Sequence, residues 1–149
     1  RKSAALLFKD ICHEVSHLLV SNLLDKRQKY FKKRPLWINE GLSEYFENLV
    51  LEGDNIEVQP NLVKLERCRD WLANNQLISL EQYFAFTNKE WKKNDIKEKK
   101  YQSRTLGWSI IYFLFSKSEG TSIIGIMLNS MVNNQSSVNH SFNAVIMYK

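Results

Sequence analysis

The chain has 149 residues and a mass of 17.6 kDa, enough for one domain with one core and too short for two ordinary ones. Hydrophobic residues make up 44% and charged residues 25%, ordinary globular usage that excludes disorder, and no apolar run reaches the roughly 18 residues of a membrane-spanning helix. Lys and Arg number 21 against 16 acidic residues, a formal +5, but the excess is local. Residues 25–34 (DKRQKYFKKR) hold six basic residues and one acid, and residues 89–104 (KEWKKNDIKEKKYQSR) hold seven and three. Runs of this kind read as solvated loops rather than a nucleic-acid face, which needs basic side chains converging from a folded surface, so no nucleic-acid partner is expected. Cys12 and Cys68 allow one bridge and no framework; buried free thiols are the simpler reading. With Arg1 first and neither initiator Met nor apolar leader, the chain is expected to be a piece of a longer protein, one domain spanning residues 1–149.

Five Gly and two Pro punctuate the sequence, and the long segments between them carry helical period, which predicts a mainly α fold. From Ser3 to about Leu24, the set Leu6, Leu7, Ile11, Val15, Leu18, Leu19 and Leu23 recurs at three- and four-residue steps, an amphipathic helix. Pro35 suits the first turn of a second helix, expected to run through Leu51 and stop at Gly53. Ile56, Glu57 and Val58 alternate, which predicts a short extended connector over 53–60. A third helix is expected from Asn61 to Asn74, and a short helical turn from Ser79, as N-cap, to Phe84. The lysine-rich stretch after it reads as a loop or a solvated helix end. Tyr101 to Lys117, with its run WSIIYFLF, predicts a buried central helix, and Gly120 breaks it. Further helices are expected over 121–132 and 138–148.

On the first helix stands HEVSH: His13, Glu14 and His17. Histidines four apart share one helix face a single turn from each other, so both imidazoles can reach one ion, and Glu14 is placed to act on water at that ion; zinc is the natural candidate. Catalytic zinc takes three protein ligands and leaves a fourth position open, so a third donor is expected nearby. The second helix supplies it in WINEGLSEYFE, where Glu40 and Glu44 stand at i, i+4. The 22 residues between His17 and Glu40 allow an antiparallel return.

HEVSH followed by WINEGLSEYFE resembles the gluzincin metallopeptidases, with HExxH on one helix and a Glu on a later one, and WINEG resembles the WLNEG of the M1 aminopeptidases. The tract PLWINEGLSEYFE resembles still better the smaller peptidase-MA-like proteins grouped as DUF1570. The resemblance covers residues 11–47, and GWSIIYFLF and NHSFNAV are weakly similar to later helices of those proteins. It implies a zincin-like helical catalytic domain that hydrolyses peptide bonds by Glu-assisted attack of metal-activated water. His13, His17 and Glu40 would bind Zn2+, and Glu14 would be the general base and acid. Glu44 would orient a ligand imidazole from the second shell, or else be a solvated helix residue.

The oxyanion of such a reaction wants a donor. Tyr101 ranks first, then Arg104, with Tyr112 and His140 lower, and each has ordinary packing or surface exposure as its competing reading. Trp37, Trp71, Trp91 and Trp108 read as core before substrate-site walls. The expected partners are a peptide or protein substrate and a missing N-terminal region of the same protein, since related folds place a sheet, with an edge strand for substrate, before the zinc helix. The competing class is a zinc-binding but catalytically inactive interaction module. Intact Glu14 argues against it.

Overall fold

The structure is a computed structural model that describes residues 3–25, 35–99 and 101–132. The helix expected over 138–148, His140 and most of the first basic run lie outside those residues. Among the described residues there are seven helices and one small antiparallel hairpin: α1 (Ala4–Asp25), α2 (Leu36–Phe46), β1 (Leu49–Glu52), β2 (Asn55–Val58), α3 (Leu62–Ala73), α4 (Leu80–Phe84), α5 (Asn88–Asn94), α6 (Gln102–Phe115) and α7 (Gly120–Val132). A mainly α fold is what the helical periodicity predicts. No helix among the described residues is long and apolar enough to cross a membrane.

The second helix is shorter than its sequence pattern suggests. After Phe46 the buried Asn48 turns its side-chain amide back onto the Glu44 carbonyl at 2.8 Å, satisfying a terminal acceptor and freeing the chain to change direction. Leu49–Glu52 then pairs with Asn55–Val58, Leu51 opposite Ile56 and Glu52 opposite Asn55. Gly53, at φ +64°, supplies the left-handed backbone that a two-residue hairpin turn requires. The expected helix end and extended connector are therefore the two strands of one hairpin.

The lysine-rich stretch also holds more structure than a loop. Thr87 and Glu90 form a capping box at the start of α5, which satisfies the free N–H groups of its first turn. The buried Trp91 donates its indole N–H to the Tyr83 hydroxyl at 3.3 Å, and Tyr83 donates in turn to the Ser103 carbonyl at 2.7 Å. That chain ties α4 and α5 to the start of α6. Ser79 and Asn61 cap α4 and α3 through their side chains.

The core forms around α2 and α6. Trp37, Ile38 and Leu42 from α2 meet Leu106, Ile111 and Leu114 from α6, with Val20 of α1, Tyr83, Trp91 and the α7 residues Ile124 and Met127 closing around them. All four tryptophans are buried, as the core reading expects. Both cysteines are free and half-buried, so there is no bridge.

Helix α1 departs from expectation in the face it buries. Leu7, Ile11, Leu18 and Leu19 are each at least half exposed, whereas Val20 and Ser16 are buried. At 100° per residue the stripe of Leu7, Ile11 and Leu18 lies roughly 120° round the helix from His13 and His17. The helix turns its histidine side toward α2, so its apolar stripe faces away.

Candidate metal centre

Two polar stripes of identical spacing meet where α1 packs on α2. Asp10, His13, Glu14 and His17 occupy i, i+3, i+4 and i+7 of α1, and Glu40, Ser43 and Glu44 of α2 repeat the pattern with Glu47, the residue that caps its C-terminus. Residues so spaced share one helix face. His13 and His17 bring their Nε2 atoms to 3.1 Å from each other, and Glu40 Oε1 lies 3.9 Å from His17 Nε2. One ligand atom from each of the three lies within 4.8 Å of the others.

The opposite nitrogen of each ring is held from α2 or its C-terminal cap. His13 Nδ1 sits 3.1 Å from Glu47 Oε2, and since a carboxylate only accepts, that nitrogen carries the proton. His17 Nδ1 lies 2.9 Å from the Ser43 hydroxyl, which donates its own proton to the Asn39 carbonyl at 3.1 Å. A hydroxyl has one proton to give, so Ser43 accepts from His17 Nδ1. In a neutral ring these bonds place the proton on Nδ1, and the Nε2 atoms of the two rings face each other.

Two lone pairs at that separation repel unless a proton or a cation lies between them. Nitrogen ligands of a tetrahedral zinc, at about 2.0 to 2.1 Å from the ion, stand about 3.3 Å apart, close to what the two histidines present. The donor set of two imidazoles and a carboxylate therefore fits a zinc ion. A second grouping, His13, Glu44 and Glu47, is also compact. It fits less well, because Glu44 is engaged by Lys64 and Arg104 and Glu47 by His13 Nδ1.

Glu44 is expected to orient an imidazole, but the carboxylate placed against an imidazole nitrogen at hydrogen-bond distance is Glu47, three residues on, while the Ser43 hydroxyl meets the other ring. Glu44 is buried, as is most of the Lys64 side chain, and it pairs directly with the Lys64 ammonium; its other oxygen lies 3.2 Å from Arg104 Nε. Burial, followed by the charges of Arg104 and Arg67, pushes the Lys64 ammonium down to about 7. Contact with the Glu44 carboxylate works against that shift.

An open cleft of about 470 Å³ borders the site, lined by Asp10, His13, Glu14, Glu47 and Arg104. Glu14 is exposed on it. Tyr101 starts α6 with a left-handed backbone at φ +52° and is not among the cleft-lining residues; Arg104, one turn further along α6, is. Tyr112 stacks on the Trp108 ring and packs against Tyr45, which is a packing role. Sequence reasoning missed Ser43 and Glu47, although their spacing from Glu40 places them on its face. Lys64 and Asp95 left no local signal.

The family model described as "Protein of unknown function (DUF1570)" matches residues 8–133, and the chain belongs to that family. No curated protein and no solved structure matches it.

Proposed function

We propose that this member of the DUF1570 family is a zinc-dependent peptidase of the gluzincin type, acting on peptide or protein substrates. The observation that carries the reading is the approach of the His13 and His17 Nε2 atoms to 3.1 Å with the Glu40 carboxylate beside them. A structural histidine pair has no need of both Nδ1 atoms being held from the neighbouring helix. His13, His17 and Glu40 would hold the ion, which when bound supplies a Lewis acid that polarises a carbonyl and acidifies water.

The chain's own residues divide the remaining work. Glu14, exposed on the cleft and adjacent in sequence to His13, takes the proton of the attacking water and passes it to the leaving amine. Glu47 and Ser43 keep the imidazoles in the ligating tautomer. Arg104, rather than Tyr101, offers N–H donors along the cleft to the developing oxyanion.

Elemental analysis of the purified chain and of His13→Ala tests the metal assignment, and cleavage of a quenched-peptide library with and without chelator tests the reaction. One zinc per parent chain, lost in the variant, together with chelator-sensitive cleavage, is the expected result. A parent without zinc overturns the reading, and zinc without any peptide cleavage removes the enzymatic half of it.

A further inference from the structure

Three carboxylates converge on the guanidinium of Arg104. Its Nε lies 3.2 Å from Glu44 Oε1, and its Nη2 lies 3.2 Å from Asp95 Oδ2 and 3.8 Å from Glu40 Oε2. Asp95, whose side chain is only 7% exposed, also accepts the backbone N–H of Arg104 at 3.0 Å through Oδ1. One buried carboxylate therefore grips both the backbone and the side chain of the same residue. The Glu40 carboxylate is divided as a result: Oε2 faces Arg104 and Oε1 faces His17 Nε2.

We infer that Arg104, clamped by Asp95, is a positioning residue that turns Glu40 so that it presents a single oxygen to the metal. The inference rests on the metal site proposed above and adds to it a pair from outside the two histidine-bearing and glutamate-bearing helices. A guanidinium and a metal dication repel each other, so an arginine acting here only as a charge would weaken metal binding, and its removal would strengthen it. An arginine that acts by holding the ligand has the opposite sign. Removing it leaves Glu40, Glu44 and Asp95 to repel one another, and Glu40 swings from its place. The fork geometry matters as well, because a lysine ammonium cannot reach Asp95 and Glu40 together in the same way.

The experiment measures Zn2+ affinity by chelator competition and the visible absorption of the Co2+ form, in the parent, Arg104→Met, Arg104→Lys, Asp95→Asn and the Asp95→Asn/Arg104→Met double variant. Neither readout is moved by a role of Arg104 toward substrate. Arg104→Met is expected to bind Zn2+ about 10- to 100-fold more weakly, the usual cost of losing an outer-shell partner, and to shift the cobalt bands at saturating Co2+. Arg104→Lys should fall between the two, and Asp95→Asn should shift the bands the same way while adding little to Arg104→Met. If circular dichroism shows that Arg104→Met does not fold, Arg104→Lys and Asp95→Asn decide the matter by the same criteria. Zn2+ binding as tight as the parent's, or unchanged cobalt bands, overturns the positioning role and leaves the metal site standing. A parent that binds neither ion overturns both.

Discussion

Gly41 and Gly107 meet backbone to backbone where α2 crosses α6: a Cβ on Gly41 would lie 2.7 Å from the Gly107 carbonyl oxygen, and one on Gly107 would lie 2.9 Å from the Trp37 carbonyl oxygen. That closeness brings Glu40, next to one glycine, and Arg104, one turn before the other, into the same cluster. Gly41→Ala would gain about 1 kcal/mol of helix propensity, but the methyl meets rigid backbone, and forced overpacking costs about 1 to 3 kcal/mol. The clash should win. Thermal unfolding followed by circular dichroism should show a melting temperature lower by a few degrees, at about 2 to 4 °C per kcal/mol for a chain of this size, and the zinc affinity should fall with it.

Glu14→Gln keeps the shape of the side chain and removes the base. Zinc content should match the parent, because Glu14 is not among the proposed ligands, while peptide hydrolysis should fall by at least about 10²-fold, the lower end for lost general acid–base catalysis. Parent-level turnover by the variant would show that another group moves the proton.

Glu47 and Glu44 stand one turn apart from each other's roles, and their variants separate those roles. Glu47→Ala removes the acceptor of His13 Nδ1–H and should weaken zinc binding about 10- to 100-fold with little change in unfolding free energy. Chelator competition and denaturant titration on the same preparation give the two numbers. Equal zinc affinity in parent and variant would mean that the His13–Glu47 bond does not set the tautomer.

Glu44→Ala should show the reverse. It strands the buried Lys64 ammonium, and breaking a buried pair by removing one partner costs about 3 to 5 kcal/mol. Replacing both partners, as Glu44→Leu with Lys64→Met, should recover most of that loss, since an apolar pair of similar volume needs no desolvated charge. Denaturant unfolding of the single and double variants checks the order; a double variant less stable than Glu44→Ala would contradict it.

The grouping of His13, His17 and Glu40, the proposed ligands, was legible in the sequence because both helices are local structures whose period puts i, i+3 and i+4 on one face. The helix over 102–115 and its neighbours were legible for the same reason, as an apolar run free of Pro. Other features depended on which faces meet. The apolar residues of α1 predict a buried stripe, yet the polar seam with α2 set the helix's rotation and left Leu7, Ile11 and Leu18 half exposed. Asn48, a residue with no strong helical objection of its own, ended α2 by bonding back to Glu44, and the β1–β2 ladder then outcompeted a helical pattern that runs on to Leu51. The choice between Glu44 and Glu47 as the partner of an imidazole turned on Lys64 and Arg104, which lie 20 and 60 residues beyond Glu44 in the chain. Local period determines which residues share a helix face. Only the close crossing at Gly41 and Gly107, a matter of two backbones in contact, decided which of those residues would face a charge.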